Sequence, residues 1–187
     1  MITTERIAAY IDSLDTGNTP FLDRIEEEAH RDLVPVIKRP TQNLIRTLLA
    51  IQKPETILEI GTATGFSAIL MATYGPNNCH ITTIENYEKR FEIAREHFAS
   101  SGFSDRIEFI TGDATEVLPT LAAQGKQYDL IFMDAAKGQY LNFYEDDLTH
   151  THGLGRNLDE LVFLDIFKAL LQRHDDLGDD ASLVVST

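Results

Sequence analysis

Thr56-Ile57-Leu58-Glu59-Ile60 followed by Gly61-Thr62-Ala63-Thr64-Gly65 leaves this chain few folds to choose from. The first five residues, mostly apolar or β-branched and set just after Pro54, predict a buried strand. Gly61 and Gly65 then supply a turn whose backbone a ligand can approach closely, because no Cβ stands in the way. From Phe66 and Ser67 the pattern turns helical, and the first N–H groups of that helix face back onto the turn. A second β-rich run over 80–84 leads to Glu85, twenty residues beyond Gly65. An acid at the end of the second strand, at that spacing, is where a nucleotide ribose is held through its hydroxyls. Strand, turn, helix, strand and acid predict a nucleoside-cofactor site. An ordinary βαβ turn, whose glycines only relieve crowding, would have no use for that acid.

The glycine spacing narrows the cofactor. A dinucleotide fingerprint is Gly-x-Gly-x-x-Gly, with a helix N-terminus meeting the pyrophosphate. This chain has Glu59-x-Gly61-x-x-x-Gly65, one glycine short and led by an acid. A carboxylate beside the turn repels a diphosphate and suits a ligand carrying an ammonium and a sulfonium, such as S-adenosylmethionine. An NAD-dependent oxidoreductase is disfavoured on the same ground.

Length and charge bound the rest. At 187 residues one domain is expected, and no apolar run approaches the roughly 20 residues of a membrane span. Residues 1–6 lack a signal peptide's basic start and apolar stretch, and the single Cys79 allows no internal disulfide, which fits a cytoplasmic protein. A net charge of −14 repels nucleic acid in bulk, so a polyanionic substrate would need a local basic patch. Lys38, Arg39 and Lys53 are the candidates for one, although such charges are more often solvated surface.

Around the turn, helices are expected over 3–15, 21–31 and 42–51, the last capped by Thr41. Beyond Glu85 follow a helix over 87–101 ending at Gly102, a strand over 106–111, a helix over 115–123 and a strand over 128–133. This alternation predicts an α/β fold with a Rossmann-like, doubly wound parallel sheet. Glu59, Glu85, Asp113 and Asp134 all fall at or just past strand carboxyl ends, where such sheets bind ligands.

These motifs, with Phe132-Met133-Asp134-Ala135-Ala136-Lys137-Gly138, resemble the cation-dependent O-methyltransferases over about residues 1–144. The group includes catechol and caffeoyl-CoA methyltransferases, and the nearest resemblance is to the bacterial branch acting on 5-hydroxyuridine in tRNA. The resemblance implies that Gly61, Ala63 and Ser67 line the methionine end of S-adenosylmethionine. It implies that Glu85 holds the ribose, that Asp113 and Ala114 sit at the adenine, and that Ile37 lies near the cofactor. With them in the cofactor site go Glu59, Gly65 and Asp134. Asp134 would also be the first ligand of a Mg²⁺-type ion, and Lys137 would stand by the substrate hydroxyl as the catalytic amine. A homodimer acting on tRNA or a small hydroxyl compound is the expected assembly.

After Tyr144 the pattern departs from that family. The Pro-Gly-Gly turn and the Asp-Asn pair that would complete the metal site are missing. Residues 145–187 hold ten acids against three bases, half of the net charge. Asp165, Asp146 and the pair His150 and His152 are possible stand-in ligands, and a helix surface and a polar loop are the commoner fates of Asp165 and the histidines. The expectation is a cofactor domain over 1–144 and a divergent acidic segment over 145–187. Truncation, frameshift and natural divergence all fit that segment. It would leave the last strand of the cofactor domain without a neighbour, and a catalytically silent cofactor-binding protein is the alternative to an enzyme.

Overall fold

The structure, a computed structural model, describes Tyr10, Ser13, residues 15–134 and the backbone of residues 183–186. Helices α1 (Pro20–Arg31) and α2 (Arg39–Gln52) precede the sheet. Then β1 (Thr56–Ile60), α3 (Phe66–Tyr74), β2 (His80–Glu85), α4 (Phe91–Ser101), β3 (Ile107–Thr111), α5 (Ala114–Ala123) and β4 (Leu130–Met133) alternate. β5 (Leu183–Ser186) completes a five-stranded sheet of order β3-β2-β1-β4-β5. The first four strands are parallel, as the alternation predicts.

Two expectations are corrected. α2 begins at Arg39 rather than after Thr41, because Pro40 needs no hydrogen bond in a helix's first turn and its fixed φ suits that position. The far side of β4 is not left open: β5 pairs with it antiparallel, Leu130 opposite Ser186 and Met133 opposite Leu183. The signal for it was the short apolar run Leu183-Val184-Val185 with its two β-branched valines, which supplies the ladder that β4 would otherwise lack.

Both faces of the sheet are covered. Ile57, Ile81, Leu130 and Phe132 pack with Leu22, Ile25, Ile45, Leu49 and α3, which is buried from Phe66 to Ala72. Leu58, Ile60, Ile84, Ile131 and Met133 pack with Leu118 and Leu121 of α5. Strand alternation turns Glu59 to the side of Ile57, into the apolar layer around α3. The strand order reverses between β1 and β4, which places a crevice at their carboxyl ends. Among the described residues no helix is long and apolar enough to cross a membrane.

Candidate functional site

The turn after β1 is built from left-handed backbone. Gly61 (φ 100°), Ala63 (φ 49°) and Gly65 (φ 88°) alternate with ordinary residues, and Ala63 bears the strain of a Cβ there. At Gly65 a Cβ would also lie 2.7 Å from the Phe98 ring, so glycine is required twice over. The Gly61 and Thr62 amides both donate to the Ile84 carbonyl, at 2.9 and 3.1 Å, which docks the turn against the end of β2. Beside it, the Asp134 amide donates to Ile60 at 2.9 Å, bringing the residue after β4 to the end of β1.

Glu85, the last residue of β2, reaches back over this turn. Its Oε2 accepts from the Ala63 amide at 2.7 Å and its Oε1 from the Tyr87 amide at 2.8 Å. Asp113 instead caps α5, accepting from the Thr115 amide (2.9 Å) and hydroxyl (2.6 Å). Those bonds, the hydroxyl's first, hold its carboxyl below the usual range, with Asn86 helping. Ala114 is buried at the first position of α5.

Glu59 is the group hardest to explain by folding alone. It is fully buried, and burial pushes its pKa up to about 7. The hydroxyls of Ser67 and Thr83 oppose that shift, while the negative charges of Asp134 and Glu85 add to it. Oε2 accepts from Thr83, whose oxygen lies 2.6 Å from the Thr62 hydroxyl. Oε1 has no hydrogen-bond partner among the described residues, so the Ser67 hydroxyl eases the charge without closing a bond on that oxygen. A buried acceptor left in this state favours a ligand that brings positive charge or donors.

The structure thus brings Glu59, Gly61, Ala63, Gly65, Ser67, Glu85 and Asp134 to one end of the sheet. Ile37 is buried in the same apolar cluster as Phe66, and its carbonyl accepts from Gln42 at 2.8 Å. Lys137, Asp146, Asp165, His150 and His152 lie outside the described residues. Thr62, Thr83 and His97 escaped the sequence reading. Thr83 could have been found, since it stands two residues before Glu85 and opposite Glu59 in the ladder. His97 falls three residues after Ala94 on the buried face of α4, where a helical histidine attracts no notice. Among the described residues no group of three or more His, Cys, Asp or Glu side chains could hold a metal ion.

Fold and site together define a class: parallel α/β proteins that take a nucleoside at the switch point through a glycine turn and an acid on the second strand. The family model described as O-methyltransferase matches residues 13–155, and the chain belongs to that family. It is 33% identical over 133 residues to a catechol O-methyltransferase from Mycobacterium tuberculosis, covering 70% of this chain and 60% of that protein. A caffeoyl-CoA O-methyltransferase from Stellaria longipes is 30% identical over 105 residues, 54% of this chain and 44% of the relative. The O-methyltransferase from Bacillus cereus in complex with SAH matches with a TM-score of 0.71 at 25% identity, covering 79% of this chain and 68% of that one. A Streptomyces achromogenes O-methyltransferase of tomaymycin synthesis, in complex with SAM, gives 0.70 at 27% identity, covering 81% and 71%. The chain spans 60% and 49% of the lengths of the catechol O-methyltransferases from Mycobacterium tuberculosis and Niastella koreensis.

Proposed function

We propose that the protein binds S-adenosylmethionine in this crevice and passes its methyl group to a hydroxyl that has a second oxygen beside it. The observation that carries the reading is Glu59, a buried carboxylate with one unpartnered oxygen close to Ser67, Glu85 and Asp134. A cationic ligand relieves the cost of that burial, and a diphosphate would raise it. In this reading Glu85 takes the ribose hydroxyls on its remaining lone pairs, and Asp113 with Ala114 borders the adenine. Gly61, Ala63 and Gly65 give the methionine end room, with Ser67 beside it, and Ile37 closes the pocket from the α2 side.

Transfer is an in-line displacement: the acceptor oxygen forms a bond to the methyl carbon as the bond to sulfur breaks, and the hydroxyl proton must leave. Lys137 is the proposed group for that proton, on the strength of the family motif. A Mg²⁺-type ion, when bound, would lower the hydroxyl's pKa by chelating it with its neighbouring oxygen. Asp134 is a single carboxylate, and the donors described around it do not make up such a site. The role of an ion here rests on the motif alone.

A catechol-like small molecule is the favoured acceptor, in line with the catechol O-methyltransferase named among the relatives. The basic residues weighed for tRNA do not form one patch. Lys38 and Lys53 flank the two ends of α2, a helix of 14 residues that is about 21 Å long. Arg39 is ion-paired with Asp23 and Glu26 at 3.0 and 2.9 Å. Exposed Leu44 and Ile51 on α2 support a homodimer, and one buried thiol at Cys79 suits the cytoplasm.

The test is a turnover assay with labelled S-adenosylmethionine, offering a catechol and 5-hydroxyuridine tRNA in turn, with and without Mg²⁺. Methylation of the catechol is the expected result. Labelled tRNA alone would reverse the choice of acceptor. No transfer to either, with the cofactor bound, would make this chain a silent binder of its cofactor.

A further inference from the structure

The turn after β1 is gripped from two sides, and only one grip comes from the acid that the cofactor reading uses. On the other side stands His97 of α4, a histidine exposed by only 8%. Its Nδ1 lies 2.7 Å from the Thr64 carbonyl oxygen, and its Nε2 lies 3.2 Å from Oε2 of Glu28 on α1. A carbonyl and a carboxylate can only accept, so in these contacts Nδ1–H donates to Thr64 and Nε2–H donates to Glu28. Glu28 in turn faces Arg24 at 3.5 Å. A chain of polar contacts therefore runs from the surface of α1, through His97, to the backbone of the turn.

We propose that His97 is a positioning residue: it holds the turn in its ligand-ready shape through Thr64 and ties that shape to the docking of α1 through Glu28. The inference rests on the reading of the turn as the S-adenosylmethionine site. Ala63 sits at φ 49°, a left-handed conformation that persists in a non-glycine residue only where its surroundings hold it there. The two holds are adjacent: Glu85 takes the Ala63 N–H and His97 takes the Thr64 C=O. Thr62 is held to β2 through its amide on Ile84 at 3.1 Å and its hydroxyl beside Thr83 at 2.6 Å, and within the turn the Gly65 amide donates to the Thr62 carbonyl at 2.8 Å. Phe98, the next residue of α4, presses on Gly65, so the same helix turn supplies both the polar and the apolar support. Among the described residues the buried Thr64 hydroxyl has no hydrogen-bond partner, so none of them holds the turn through it.

Two substitutions separate positioning from mere filling. The amide nitrogen of an asparagine falls where histidine Nδ1 sits, and that of a glutamine falls where Nε2 sits. H97N therefore keeps the bond to Thr64 and loses the one to Glu28, while H97Q does the reverse. The first readout is hydrogen exchange at the Ala63 and Gly65 amides of the ligand-free protein. The second is the calorimetric affinity for S-adenosylhomocysteine. The expected result is near-native exchange and affinity in H97N. In H97Q both amides exchange faster and affinity falls about tenfold, equivalent to ~1.4 kcal/mol. A space-filling role would rank the two variants the other way, because glutamine matches histidine's volume better. Equal exchange and equal affinity in the two variants, or better retention in H97Q, would overturn the proposal. If the native protein binds no S-adenosylhomocysteine, the cofactor reading fails, while the exchange arm still decides whether His97 holds the turn.

Discussion

Glu85 Oε2 accepts the Ala63 amide at 2.7 Å, so the acid at the end of β2 holds the strained residue of the turn after β1. The same carboxylate takes the Tyr87 amide on its other oxygen. Each oxygen keeps a lone pair, which is what two vicinal ribose hydroxyls require. In the proposed function one side chain would therefore both shape the turn and hold the ribose.

Replacing Glu85 by alanine removes both services. Affinity for S-adenosylhomocysteine should fall by about 1.5–3 kcal/mol, the scale of a hydrogen bond to a charged group. Titration calorimetry reads it directly, and an unchanged affinity would remove Glu85 from the ribose site.

Glu59 makes stability depend on pH. Its carboxyl is raised from 4.5 to about 7 in the fold, so between those values the folded protein holds a proton that the unfolded chain releases. The contribution is therefore most favourable below the unfolded value and is lost as pH rises to about 7, a change of roughly 3 kcal/mol. Thermal melts of E59Q should lack that decline between pH 5 and pH 8, and the variant should be the more stable at the upper end. It should also lose affinity for the sulfonium S-adenosylmethionine. A native melting temperature that does not decline over this range would show that Glu59 is already compensated.

Gly65→Ala combines two penalties, a left-handed φ of 88° and a Cβ set 2.7 Å from Phe98. A loss of roughly 1–3 kcal/mol is expected, from strain together with overpacking. Denaturant melts of G65A and of G65A/F98L separate the two, because trimming the ring relieves the clash and leaves the φ penalty.

Asp129 provides the contrast at the opposite end of the sheet. Its Oδ2 accepts from the Glu55 and Thr56 amides and from the Thr56 hydroxyl at 2.9, 3.0 and 3.1 Å, clasping the starts of β1 and β4 together. D129A should lower stability by about 1–3 kcal/mol by stranding those donors, with cofactor affinity unchanged. A matching loss of affinity would mean that the two ends of the sheet are coupled.

The parallel sheet and the meeting of the glycine turn with Glu85 were legible because their signals are local. A β-branched run, two glycines and an acid at a fixed distance encode strand, turn and the carboxylate that reaches back over it within about thirty residues. The contacts that complete the site are not local. Thr83 reaches Glu59 across the ladder, and His97 joins Thr64 to Glu28 over separations of 33 and 69 residues. The boundary of α2 was misread because Pro40 looks like a stop and serves as a start. β5 was overlooked because four residues with only two valines among them carry little weight until β4 offers them a partner.

An S-adenosyl ligand rather than a dinucleotide is the proposed occupant of this crevice. Titration calorimetry of the protein with S-adenosylmethionine, S-adenosylhomocysteine and NAD tests it most directly. Both S-adenosyl compounds should bind, with no measurable heat from NAD, whose diphosphate would meet the Glu59 carboxylate. Binding of NAD with no response to either S-adenosyl ligand would contradict it.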